Sequence, residues 1–164
     1  MKRLFIIFLS VLMALSLLGC HSDDSNAIHF YYCRDPEQYQ YFEEDGVIRS
    51  ESRDLPGRRN DLRYMVGLYL AGPMDEGLIS PFSRGTILLG VEKTEDVISI
   101  ALSDHSKSLT DSEFALACAS LTLTCMDFTP CREVTIISGE RTVTMNSDNI
   151  ILFDALPQQD STGG

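Results

Sequence analysis

The sequence is short of positive charge. It has 13 Lys plus Arg against 24 Asp plus Glu, a formal net charge of −11. Nucleic-acid binding draws its affinity from Lys and Arg set on phosphates, so this balance argues against that partner. It argues equally against a polybasic face docked on anionic lipid. Clustered metal ligands are also lacking. There is no C-x-x-C and no H-x-x-x-H among the five Cys and three His, so the short-spaced sets of a zinc site are missing. No cofactor and no metal are expected. No G-x-S-x-G elbow occurs. No Gly-rich phosphate loop occurs either, because Gly72-Pro73 and Gly85 are turn devices with no helix following to meet a phosphate. Internal repeats and low-complexity blocks are absent.

Long apolar runs are scarce. The main one, residues 4–18, is broken only by Ser10 and Ser16. A bilayer-spanning helix needs roughly 20 apolar residues, so this run is short for one. Lys2 and Arg3 precede it and Gly19-Cys20 close it, the three-part pattern of a secretory signal. Its end, L-L-G-C, resembles the lipobox of bacterial lipoproteins, although Leu18 is larger than the residue usual there. The resemblance implies cleavage after residue 19 and diacylation of Cys20, with the membrane as the partner of that lipid. A plain secretory signal or a retained anchor is the alternative. Two acyl chains hold a protein stably where one does not.

Residues 21–27 then form a tether that spans at most about 25 Å, at roughly 3.5 Å per residue. The domain should therefore sit close to an extracytoplasmic membrane face. Without residues 1–19 the chain loses Lys2 and Arg3, which leaves 11 basic against 24 acidic residues, a formal −13. Anionic headgroups would repel such a domain while its lipid holds it down. Residues 28–153 make one ordinary domain. Residues 154–164 read as a disordered tail.

Within the domain, residues 28–33 (IHFYYC) read as a first strand. Residues 39–42 and 47–53 flank an acidic turn, Glu43-Glu44-Asp45-Gly46, as two short strands. Leu62, Met65, Val66, Tyr69 and Leu70 recur at the spacing of one helix face, with Asn60 or Asp61 as cap and Gly72-Pro73 as stop. Residues 74–84 look irregular. Residues 85–93 place Ile87, Leu89 and Val91 on one strand face, and residues 97–102 do the same for Ile98, Ile100 and Leu102. Thr94-Glu95-Asp96 links the two as a hairpin. A second helix opens with a Thr110/Glu113 capping box, stapled by Leu109 and Phe114. Its apolar stripe is Phe114, Ala117, Cys118, Leu121, Cys125 and Phe128. Residues 133–138 and 141–145 form strands around Gly139, and residues 149–153 a last strand. The order β-α-β-β-α-β-β predicts an α+β two-layer sandwich, two helices on one face of a mixed or antiparallel sheet.

The stretch YMVGLYLAGPMDEGLISPFSRGTILLGVE, residues 64–92, resembles the core of the GerMN domain, the sporulation and spore germination domain. The resemblance rests on the helix ending in Ala71-Gly72-Pro73, the Gly77-Leu78 loop, Ser80-Pro81-Phe82, and Gly85-Thr86 opening a strand. Glu51-Ser52-Arg53 upstream, and residues 121–124 and 134–139 downstream, keep the family's order. Gly72, Pro73, Pro81, Gly85 and Thr86 are the structural positions it implies. Ser83 stands where proline is common, a departure expected to loosen that turn. Relatives are anchored on the outer face of Gram-positive cells, and their domain is similar to ring-building, non-catalytic modules. The resemblance thus implies a protein partner or self-assembly.

The chemically active residue types are thinly spread. Cys118 and Cys125 lie two helical turns apart, about 10 Å, beyond disulfide reach while the helix is intact. Cys125 and Cys131 bracket the helix end and can bridge, and Cys33 can reach a cysteine of that helix. Otherwise Cys33 and Cys118 are small buried hydrophobes. Ser103-Asp104-His105-Ser106 has the residue types of a catalytic triad, but sequence neighbours seldom converge as one. The acids Glu43, Glu44 and Asp45 read as a solvated run. Three functions therefore stand in order. The first is a lipid-anchored, non-enzymatic module for protein contact. The second is a small-ligand or cell-wall-binding lipoprotein, and the third an enzyme. An exposed apolar edge or helix face with no deep polar pocket favours the first, and a sizeable concave pocket with a few converging polar groups the second.

Overall fold

The computed structural model describes residues 27–37 and 46–150. The signal, Cys20 and its tether, the strand expected at residues 39–42, the acidic run of residues 43–45 and most of the last strand and the tail lie outside them. In chain order the elements are β1 (Ile28–Arg34), β2 (Ile48–Arg53), α1 (Leu62–Leu70), β3 (Leu78–Ile79), β4 (Leu88–Thr94) and β5 (Val97–Leu102). A 3-10 helix (Asp104–Ser108), α2 (Asp111–Phe128), β6 (Glu133–Ser138) and β7 (Arg141–Asn146) follow. The class is α+β, as the pattern implied. The strands divide between two sheets, ordered β2-β1-β3 and β4-β5-β6-β7.

The division has a local cause. β1 pairs along its length with β2, but with β3 only at Cys33 and Arg34. Its remaining edge is taken by a helix. The N–H of His29 donates to the Asp127 carboxylate at 2.7 Å, and the N–H of Tyr31 to Thr124 Oγ1 at 2.9 Å. Side chains of α2 thus satisfy donors that another strand would otherwise pair. In the second sheet β5 and β6 run parallel, all other pairs antiparallel. Parallel neighbours need a long crossover, and the 3-10 helix and α2 supply it.

Both helices start and stop on local signals. Asp61 accepts from the Tyr64 N–H and caps α1, and Gly72, at φ 102°, turns the chain away after it. α2 opens with the full capping box of Thr110 and Glu113. One core joins both sheets and both helices, and it holds Phe30, Tyr32, Met65, Tyr69, Ile98, Ile100, Phe114, Leu121 and Ile136. The expected stripe of α2 is buried at Phe114, Ala117, Cys118, Leu121 and Cys125, with Phe128 partly buried.

Two details differ from the pattern. The ladder between β4 and β5 shifts between Leu88 and Gly90. This bulge turns Leu88 and Val91 to the core and leaves Ile87 and Leu89 out in solvent. The three residues expected on one face are thus split. Residues 74–84 also contain β3, too short at two residues to show a period of two. Asn149 and Ile150 form no strand; Asn149 belongs to a turn held by Asn146, and Ile150 follows it.

Candidate functional site

Among the described residues the four-stranded sheet buries one face and leaves the other open. Across its strands, register places Gly90 beside Ala101, Ala101 beside Ile137, and Ile137 beside Thr142. The next row is Glu92, Ser99, Thr135 and Thr144. Apart from Glu92 and Ile137 this floor is small-chained, and it carries no Lys or Arg. Leu89 is 62% exposed, Ile87 59% and Ile137 39%, a strip of large apolar side chains at one end of it. Isolated exposed apolar residues are ordinary, whereas a contiguous strip marks a contact site.

A groove of about 540 Å³ lies elsewhere, between the end of β1, the β3–β4 loop and the first turns of α2. Cys33, Val47, Ile79, Pro81, Phe82 and Leu116 give it an apolar lining, with Arg34, Asp35 and Glu113 among its polar groups. Hydrogen bonds from Thr110 hold the Glu113 carboxyl below the usual carboxylate range. It is the anion of the capping box, already engaged.

The family positions organise the β3–β4 loop. Ser83 O accepts from the Thr86 N–H at 3.1 Å and from Thr86 Oγ1 at 2.7 Å. Gly85 sits at φ 89°, and a Cβ there would stand 3.4 Å from the His105 ring. Pro81 lines the groove, and Gly72 O accepts from Arg53 at 2.7 Å. Ser83, in place of proline, joins its hydroxyl to Ser108 Oγ at 2.9 Å, which ties the turn to the 3-10 helix.

No catalytic set assembles from the polar loop. Ser103 Oγ and His105 Nδ1 are 2.9 Å apart, but Asp104 pairs with Lys107 and its carboxylate lies over Gly139. Ser106 turns inward to Ser138 Oγ at 2.6 Å. Serine and histidine meet, and the acid that would orient the histidine faces away. Among the described residues, no group of three or more His, Cys, Asp or Glu is arranged to hold a metal.

The four described cysteines are free thiols, so the bridge weighed between Cys125 and Cys131 is not formed, and Cys33 is unbridged too. Burial pushes the Cys33 thiol up to about 11, against a bond to Ser120 that lowers it, and pushes Cys118 up to about 12. Cys125 is raised further by complete burial. Such thiols are protonated and inert, not nucleophiles. Composition did not reveal the buried Arg53, which is 7% exposed. Its guanidinium pairs with Glu51, donates to Tyr32 Oη at 3.3 Å and lies 4.7 Å from the Phe30 ring centre. The Glu51-Ser52-Arg53 signature was the one clue to it.

Fold and site together define a small α+β domain whose four-stranded sheet keeps one face uncovered among the described residues. Residues 30–144 match the model of the Germane family, described as sporulation and spore germination. The chain belongs to that family. Two solved structures are similar to it at low identity. One is a Clostridium perfringens protein classed provisionally as a lipoprotein, at 14% identity and TM-score 0.48, covering 74% of this chain and 86% of that one. The other is the tandem GerMN domains of the sporulation protein GerM from Bacillus subtilis, at 15% identity and TM-score 0.49, covering 75% of this chain and 43% of that one. No curated protein sequence matches the chain.

Proposed function

We propose that this chain is a lipid-anchored, non-enzymatic Germane domain that works by protein contact at the outer membrane face. The observation that carries the contact role is the open sheet face, where Ile87, Leu89 and Ile137 stand exposed beside a floor that carries Glu92 but no Lys or Arg. A flat face of this kind suits a protein partner with a matching apolar strip. The signal-like terminus ending at Cys20 supports the anchor. Among the described residues, which begin after that terminus, no helix is long and apolar enough to cross a membrane. The link to sporulation or germination rests on the family.

A photo-crosslinker placed at Thr142, beside Ile137, tests the contact in native membranes. A discrete protein adduct is expected, and Ile87→Lys with Leu89→Lys should abolish it. An adduct that persists in the double variant would sink the role of this strip. Anchoring is tested by Cys20→Ala, which should release the protein from the membrane fraction; unchanged retention would make the apolar run itself the anchor. The groove favours a second reading, a small apolar ligand bound beside Phe82 and Leu116.

A further inference from the structure

We propose that the loop leading into α1, with Arg59 and Arg63, docks on anionic lipid headgroups and sets the domain's orientation on its membrane. The inference rests on the lipid anchor proposed above. Seven residues separate Cys20 from Ile28, so the end of the domain that bears Ala27 stays within about 25 Å of the lipid, at roughly 3.5 Å per residue. Ala27, His29, Arg59, Asn60, Asp127 and Phe128 line one hollow at that end. The arginine loop is therefore beside the point where the tether enters the fold.

The charges there are unevenly committed. Arg58, Arg59 and Arg63 are all exposed. Asp61 is spent on Arg58, at 2.9 Å, and on capping α1. Asp127 is spent on His29. Among the described residues Arg59 and Arg63 have no ion-pair or hydrogen-bond partner; Asp61 attracts Arg63 without pairing with it, so both can reach a headgroup phosphate without breaking a hydrogen bond. The opposite end carries four exposed acids around the start of α2 and the β6–β7 turn, of which Asp104 pairs with Lys107 and Asp111 with Arg141, so that Glu113 and Glu140 leave it net negative. Repulsion of that end and attraction of the arginines turn a tethered body in the same sense. A low total of basic residues thus does not prevent docking; their placement decides it. Asp23, Asp24 and Asp54 oppose the contact, which is why it needs the lipid to hold the chain nearby.

Each arginine within a Debye length of an anionic surface contributes roughly fivefold to occupancy, and the two together roughly thirtyfold. The sequence contains no Trp, so a single reporter reads the geometry. The full lipidated chain carrying Tyr64→Trp would be reconstituted in phosphatidylcholine vesicles, with or without phosphatidylglycerol, that contain a headgroup-nitroxide lipid. A second chain would carry Glu140→Trp. We expect the Tyr64→Trp reporter to be quenched only with phosphatidylglycerol at low salt, and the Glu140→Trp reporter to stay bright. Arg59→Gln with Arg63→Gln should remove the quenching while the protein still floats with the vesicles. Equal quenching in both lipids, or quenching that survives the double variant, overturns the docking and leaves the anchor standing. A chain that floats with neither vesicle overturns both.

Discussion

Arg53 is held where water cannot solvate it. It serves Glu51, the Gly72 carbonyl and Tyr32 Oη, while the Glu51 carboxylate accepts the N–H groups of Met74 and Asp75 at 2.9 and 2.8 Å. One ion pair thereby ties β2 to the end of α1 and the loop beyond it. Arg53→Met leaves a carboxylate nine-tenths buried with no counter-charge, a loss of about 3–5 kcal/mol. Urea unfolding of Arg53→Met against Arg53→Met/Glu51→Gln separates the stranded charge from the lost packing. The double variant should recover part of the stability. The thiols make a second prediction at this scale. Cys33, Cys118 and Cys125 have folded-state values raised by burial. Their stabilisation is therefore complete below the unfolded thiol value, about 8.5. Above it the unfolded chain loses protons that the folded chain keeps, so stability falls with rising pH by about 1.4 kcal/mol per pH unit for each such thiol. Urea midpoints between pH 7 and 10 should drop with that sign, and less steeply in Cys125→Ala. A flat profile would mean that these thiols are accessible to solvent.

The elements were legible wherever a local signal set them. The capping box of α2, the Gly72-Pro73 stop and the Gly139 turn need only neighbouring residues, and each stands where its residues placed it. The polar side of α2 was not legible. Ser120, Thr122 and Thr124 are fully buried, although a hydropathy pattern assigns hydroxyls to solvent. Ser120 and Thr124 hide their donors by bonding back to Leu116 O and Ser120 O, both at 3.0 Å. Thr124 then has an oxygen to offer the Tyr31 N–H. That partner is 93 positions away in sequence, and no window of residues contains it. Thr124→Val preserves the shape and removes the acceptor. It should cost about 1–3 kcal/mol for the stranded donor, with faster hydrogen exchange at the Tyr31 amide. An unchanged exchange rate at that amide would show that β1 does not depend on α2 for its edge. The bulge in β4 escaped for a related reason. It depends on how Leu88 and Gly90 meet β5, and strict alternation hides it.

At the scale of the molecule, the fold class followed from counting half-buried strands and two amphipathic helices, but the partition into two sheets did not. That partition depends on whether a strand or a helix claims the free edge of β1, and only Asp127 and Thr124 decide it. The same limit applies to the candidate site. Periodicity put Ile87 and Leu89 on one strand face with Val91, and the bulge separates them: Val91 packs on the core, while Ile87 and Leu89 form part of the strip that carries the proposed contact. This gives the strip a specific thermodynamic signature. Side chains exposed by more than half contribute little to folding, so Ile87→Lys with Leu89→Lys should shift stability by no more than about 0.5 kcal/mol. Had the pattern held, with both residues buried, two lysines in the core would unfold the domain. Thermal melts of the double variant distinguish the two arrangements in one measurement. A native-like transition alongside a lost crosslink at Thr142 assigns the strip to contact and not to folding. A collapsed transition would return both residues to the core and remove the strip as a contact surface.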